Sequence, residues 1–186
     1  MRHWRRIRRI EKAYGAKVLS FGPFDFKQRV ILLVGKNGSG KTTLLKCLAG
    51  LLRTEKGFLK HPMTYIGGED TLPVNLTGGQ YLSAMLRVVG GHHANRLQRL
   101  IDHFDLNGFL KHPIKEYSDG MLRRTALAGG LLKLEGTVLL DEPMRALDGV
   151  YRKRLVEWIS QSNTPFMIAT HDPTAFKNLD YEKVTL

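Results

Sequence analysis

Arg29-Val-Ile-Leu-Leu-Val34 runs directly into Gly35-Lys-Asn-Gly-Ser-Gly-Lys41-Thr42-Thr43, and this stretch decides the fold. Its first half is an apolar, β-branched run without alternation, the pattern of a strand buried on both faces. The glycine-rich half fits G-x-x-x-x-G-K-[ST] in full. Beyond it, Leu44, Leu45, Leu48 and Leu52 lie at helical spacing. A buried strand, a glycine loop and a helix in that order make a phosphate-binding loop. Glycine lets backbone N–H groups come close to phosphate oxygens, and the helix start adds partial positive charge. Lys41 is placed to reach the β- and γ-phosphates, and the Thr42 hydroxyl to ligate Mg²⁺. The expected nucleotide contacts are Gly35, Asn37, Gly38, Ser39, Gly40, Lys41, Thr42 and Thr43.

Downstream, Gly136-Thr-Val-Leu-Leu140 reads as a second buried strand, and it ends in Asp141-Glu142-Pro143. Two acids at the end of a buried strand are costly unless they bind something. Asp141 suits Mg²⁺, held through water, and Glu142 suits a general base that polarises an attacking water. Pro165-Phe-Met-Ile-Ala169 gives a third core strand, and Tyr151–Ser160 a helix with Leu155, Trp158 and Ile159 inward. Between the strands, Thr77-Gly-Gly-Gln80 has the capping-box spacing. Leu82, Met85, Leu86 and Val89 then make one apolar helix face, and Leu97, Leu100, Ile101 and Phe104 another. The alternation predicts an α/β fold, a mainly parallel sheet with helices on its faces. It is read as one domain over 1–186, with 1–75 and 135–186 as the α/β core and 76–134 as an inserted helical subdomain.

The 186 residues suffice for a real core, and no apolar run reaches the 18 or so residues of a membrane span. One cysteine, Cys47, excludes an internal disulfide and a cysteine-rich metal site. His92-His93 lacks an identifiable third ligand and reads as a solvated loop. The net charge of +12 raises nucleic acid, anionic lipid or an acidic protein face as partners. Most of that charge is scattered, and the one dense cluster is Arg2, Arg5, Arg6, Arg8 and Arg9. Ile7 and Ile10 among those arginines suggest an exposed first strand rather than a transit peptide.

Further segments carry a family resemblance. Tyr117-Ser-Asp-Gly-Met121 followed by Leu122–Ala128, Arg145-Ala-Leu-Asp148, and Thr170-His171-Asp172 follow the phosphate loop and the acid pair in order. Together the five segments resemble the ATP-binding cassette (ABC) ATPases over nearly the whole chain, and in size the compact bacterial exporter-type subunits. The resemblance implies a P-loop NTPase sheet core with an N-terminal antiparallel β portion. It implies that Ser118, Asp119 and Gly120 present a helix start to the γ-phosphate of ATP bound on an opposite protomer, with Asp148 across the same dimer interface. His171 would contact the γ-phosphate and join Glu142 and Lys41 in catalysis. Tyr14 would stack on adenine, with Phe21 as a rival.

Two departures from the family pattern matter. Gly67-Gly68-Glu69-Asp70 stands where a glutamine is usual, so Glu69 becomes the candidate third Mg²⁺ contact beside Thr42 and Asp141. Tyr-Ser-Asp-Gly-Met stands where Leu-Ser-Gly-Gly-Gln is common. The function expected from the resemblance is an ATP-hydrolysing subunit, with ATP and Mg²⁺, as a homodimer or a heterodimer with a second ATPase. It would sit in the cytoplasm on the inner face of the membrane, driving transport through a separate membrane subunit that docks around Glu69–Leu86. The alternative is a soluble relative acting on nucleic acid or in an assembly reaction. A third reading is a nucleotide-responsive regulatory subunit without turnover.

Overall fold

The structure is a computed structural model that describes residues 6–56, 63–67, 72–133 and 136–186. Glu69, Asp70, Arg2 and Arg5 lie outside the described residues. The chain divides into two compact units. The first comprises Met1–Tyr65, Glu135–Glu142 and Asn163–Leu186, and the second Ile66–Leu134 and Pro143–Ser162.

The first unit opens with antiparallel pairs. β1 (Arg6–Ile7) pairs with β4 (Phe24–Asp25), and β2 (Ile10–Tyr14) with β3 (Lys17–Phe21). Ile7 is 1% exposed while Arg6, Arg8 and Arg9 are open to solvent, so the isoleucines anchor these strands and the arginines face water. The main sheet then forms from β5 (Val30–Val34), β6 (Met63–Ile66), β7 (Thr137–Asp141), β8 (Phe166–Thr170) and β9 (Tyr181–Thr185). Its order is β6-β7-β8-β5-β9, and the pairings β7–β8, β8–β5 and β5–β9 are parallel. Each parallel neighbour requires a crossover, which is why sequence order and spatial order differ.

The apolar runs are buried on both faces, as central parallel strands must be. On one face Ile31, Leu33, Leu139, Met167 and Ala169 join Leu44, Leu45 and Leu48 of α1 (Lys41–Leu48) and Ile10, Phe21 and Phe26 of the N-terminal β portion. Alternation places Val30, Leu32, Val138, Leu140, Phe166 and Ile168, also buried, on the opposite face. Cys47 is a buried free thiol in the same cluster, and burial pushes its pKa up, so it acts as core.

The second unit is helical: α2 (Gly78–Val88), α3 (Ala94–His103), α4 (Asp119–Leu132) and α5 (Gly149–Gln161). α2 starts with the expected capping box. Gln80 N donates to Thr77 Oγ1 at 3.2 Å, and Thr77 N donates to Gln80 Oε1 at 2.9 Å. α4 packs against both α2 and α3. Arg124 of α4 is a hub here. It lies over the rings of Phe109 and Tyr151 and donates to the carbonyls of Phe104 and Asp105. The ring centres of His92 and His93 lie 4.2 Å apart with the planes tilted by 46°, and His92 Nδ1 is 3.1 Å from the Gly90 carbonyl.

Candidate active site

Parallel register brings three strand ends to one edge of the first unit. Asp141 pairs with Ala169, Ala169 with Leu33, and Thr170 with Val34. The loop after β5, the acid pair after β7 and His171 after β8 therefore leave the same carboxyl edge. That edge is where open α/β sheets bind ligands, because loops and helix starts gather there.

The loop at this edge is shaped by close approach. A side chain on Gly35 would meet the Leu186 carbonyl at 2.7 Å and Ser39 Oγ at 2.6 Å. Gly40 holds φ at +97°, and a Cβ there would lie 3.0 Å from the Phe21 ring, so both its conformation and its surroundings favour glycine. Gly40 is also the N-cap of α1, and a glycine cap leaves the helix-start N–H groups without a side-chain acceptor. Ser39 Oγ is buried with no hydrogen-bond partner among the described residues. Lys41 is 6% exposed, and its ammonium donates to the carbonyls of Gly35 at 2.7 Å and Lys36 at 3.1 Å. A buried cation whose partners among the described residues are neutral carbonyls suits an anion binder. Thr42 is exposed on the first turn, and Asn37 and Gly38 are exposed in the loop.

At the strand end, Tyr65 donates from its hydroxyl to Asp141 Oδ2 at 2.9 Å. Sequence reading passed over Tyr65 as a neighbour of the candidate site. It sits on the edge strand β6, and only the pairing order β6-β7 reveals its neighbour. Glu142 has φ +43°, a left-handed conformation that a residue with a Cβ adopts at a cost. Its N–H donates to the Ala169 carbonyl at 2.9 Å, which ties the bend to β8. Its Oε2 lies 3.0 Å from His171 Nδ1. An ionised carboxylate only accepts, so this bond puts the proton on Nδ1 and leaves Nε2 as the ring's other polar atom. Glu142 and His171 thus stand together at the edge, on a bend that aims the carboxylate away from the strand.

The adenine candidates differ in access. Tyr14 is 48% exposed at the tip of the β2–β3 hairpin, with Lys12 Nζ 5.4 Å from its ring centre. Phe21 is buried against Gly40 and has no open face for a base. In the second unit Ser118 is the N-cap of α4, its Oγ accepting from Met121 N at 3.3 Å. Asp119 is exposed on the first turn, where its charge complements the helix dipole. Gly120 faces the Ala146 carbonyl, 3.2 Å from where a Cβ would lie. Asp148 caps α5, its Oδ1 accepting from Val150 N at 2.9 Å and Tyr151 N at 3.1 Å.

The donor chemistry fits a magnesium nucleotide. Uncapped N–H groups, a buried ammonium and an unpartnered Ser39 hydroxyl line the loop, while the Thr42 hydroxyl and Asp141 carboxylate are the oxygen ligands a hard cation takes. Among the described residues no helix is long and apolar enough to cross a membrane.

Comparison with known proteins agrees. The sequence profile of the ABC transporter family matches residues 25–145. The cytochrome c biogenesis ATP-binding export protein CcmA of Rhizobium johnstonii is 32% identical over 174 residues, 83% of this chain and 81% of that protein. The aliphatic sulfonates import ATP-binding protein SsuB of Bacillus cereus is 31% identical over 156 residues, 76% of this chain. The chain spans only 62% of that importer subunit's length. Among solved structures, an ATP-binding subunit of an ABC transporter superposes with a TM-score of 0.87 at 21% identity, covering 97% of this chain and 85% of that one. The archaeal ribosome recycling factor aABCE1, in complex with a ribosomal stalk protein, superposes with a TM-score of 0.82 at 25% identity, covering 97% of this chain and 36% of that one. The chain belongs to the ABC transporter family, as an ATP-binding ATPase of α/β fold.

Proposed function

We propose that this chain binds MgATP at the carboxyl edge of β5, β7 and β8, closes with a second ATPase protomer around it, and drives substrate movement through a separate membrane subunit. The observation that carries this reading is the convergence of the phosphate loop, Asp141, Glu142 and His171 on one sheet edge. Lys41 exchanges its loop carbonyls for β- and γ-phosphate oxygens, with amides from Asn37 to Thr43 around them. Thr42 and Asp141 hold Mg²⁺, with Tyr65 orienting the Asp141 carboxylate and Glu69 as a third candidate. Bound Mg²⁺ would neutralise charge on the phosphate oxygens. Glu142 accepts a proton from the attacking water, and His171 fixes the direction in which that carboxylate points. Tyr14 stacks on adenine.

The partner protomer, identical or not, contributes Ser118, Asp119 and Gly120 at the start of α4, with Asp148 at the interface. The named functions of CcmA and SsuB, export and import, support a membrane transport role at the cytoplasmic face without choosing a direction. In this reading Glu142→Gln lowers hydrolysis by about 10²–10⁴-fold and accumulates an ATP-bound dimer. Lys41→Ala loses nucleotide binding. Steady-state hydrolysis and light scattering read both, and brisk turnover by Glu142→Gln would refute the base assignment.

The likeness to aABCE1 and the charge of +12 favour a second reading, action on nucleic acid or in an assembly reaction. It predicts salt-sensitive RNA or DNA binding that stimulates hydrolysis. Co-purification of a membrane protein with this chain, together with hydrolysis indifferent to nucleic acid, decides for transport.

A further inference from the structure

Arg96 and Arg99 lie three residues apart on α3, one turn from each other on the same side of the helix. With Trp158 and Gln161 of α5 and Ser162 at its end, they line a cavity of about 150 Å³. All of these lining residues belong to the second unit, and among the described residues the charged ones in the lining are these two arginines.

Neither guanidinium has an ion-pair partner or donates a hydrogen bond among the described residues. Nearby acid is engaged elsewhere: Asp102 accepts from Gln98 Nε2 at 2.9 Å and Asn107 Nδ2 at 3.2 Å. Glu157, next to Trp158 in sequence, is exposed and does not line the cavity. Burial, and then the charge of Arg99, hold Arg96 below the ordinary guanidinium range, so two like charges are being kept close at a cost.

Trp158 lends its indole to the wall, while its Nε1 is buried behind it and has no hydrogen-bond partner among the described residues. The indole is held in place rather than loose. The ring of His103 lies 5.2 Å from it, and His103 Nε2 bonds the Arg154 carbonyl at 2.7 Å. Arg99 is exposed and Arg96 half-buried, so both forks are open to a ligand entering the concavity, and neither has an acceptor of its own among the described residues.

We propose that this cavity is a phosphate-group site, in which the forks of Arg96 and Arg99 grip the oxygens of one phosphate and the amide of Gln161 adds a donor. Guanidinium matches tetrahedral oxyanions through paired N–H bonds, and two forks one helical turn apart can take different edges of the same anion. The volume is ample for one such group. A free phosphate or small phosphomonoester and the phosphate of a lipid headgroup share this chemistry. The site gives part of the excess positive charge a specific use, and it does not depend on the nucleotide reading.

Trp4 and Trp158 are the two tryptophans, so Trp4→Phe leaves Trp158 as the sole indole reporter. In that background, inorganic phosphate at matched ionic strength should give a saturable fluorescence change that chloride does not. Arg96→Gln with Arg99→Gln should weaken it by about tenfold or more, with MgATP hydrolysis unchanged. Arg99→Lys preserves charge without the fork and should retain part of the affinity, which separates lost recognition from lost folding. Phosphatidylcholine vesicles with and without phosphatidic acid form the second arm. A response to free phosphate and not to vesicles assigns a soluble ligand; a response to phosphatidic acid vesicles alone assigns a lipid phosphate. No saturable response to either probe, or one that the double variant leaves intact, overturns the proposal.

Discussion

Tyr117 shows how a departure from the common family pattern is absorbed locally. Its buried hydroxyl accepts from Gly78 N at 3.1 Å and donates to the Phe109 carbonyl at 2.8 Å, and its ring meets the edge of Phe109. It thereby joins the start of α2 to the turn that precedes α4, a link a leucine could not make. Burial raises the phenol pKa, so the hydroxyl stays a donor at neutral pH. Tyr117→Phe leaves a buried N–H and a buried C=O to find other partners, a loss of about 1–3 kcal/mol. A urea titration should show the midpoint falling with an unchanged slope. No change in midpoint would mean that water replaces the hydroxyl. The same residue marks a limit of sequence reading: the resemblance located Ser118 and Gly120, but Tyr117's partners at positions 78 and 109 follow only from the packed helices. Tyr65 beside Asp141 was hidden for the same reason, since its partner is 76 residues away.

The elements that were legible are those whose signal is local. β5, β7 and β8 are apolar runs of strand length, and the capping box needs only Thr77 and Gln80. β9 was missed because Tyr181–Thr185 is polar and half-exposed, and it becomes a strand by pairing with β5, about 150 residues earlier in the chain. The β2–β3 hairpin, which presents Tyr14, is also fixed from a distance. Glu11 exchanges backbone hydrogen bonds with Glu55 and Lys56, and the Glu55 carboxylate accepts from Ala13 N at 2.8 Å. That backbone bond first, with a smaller contribution from Lys12, holds Glu55 below the ordinary glutamate value. A depressed carboxylate contributes stability above its unfolded pKa, and that contribution is lost as pH falls through the folded value. The hairpin tie should therefore hold at neutral pH and loosen below about pH 4.3. Hydrogen exchange reads this directly: the protection factor of the Ala13 amide should fall on acidification, and Glu55→Gln should remove most of that pH dependence. Equal acid sensitivity in the variant would assign the effect to another group.

At the scale of the molecule, the phosphate loop and the acid pair belong to one compact unit, while Ser118, Gly120 and Asp148 belong to the other. A single chain binding MgATP in the proposed way engages the first set of groups. In the proposed reading the second set meets a phosphate only when another protomer supplies it, so the two sets should respond differently to protein concentration. The Glu142→Gln variant, expected to hold ATP, lets hydrogen exchange test this. Amides of Gly38–Thr43 should gain protection on adding MgATP at any protein concentration, because in this reading the phosphates they contact are bound by their own chain. Amides of Asp119–Met121 lie at an exposed helix start, and Ser118 Oγ accepts from Met121 N alone among them. They should gain protection only where light scattering shows a dimer, and lose it again on dilution. Each contact to a charged oxygen is worth about 1.5–3 kcal/mol, so about one to two orders of magnitude in exchange rate are available to the measurement. Protection of both segments together in the dilute monomer would place the α4 start on the chain's own nucleotide and end the two-protomer reading, while leaving the phosphate loop's role intact.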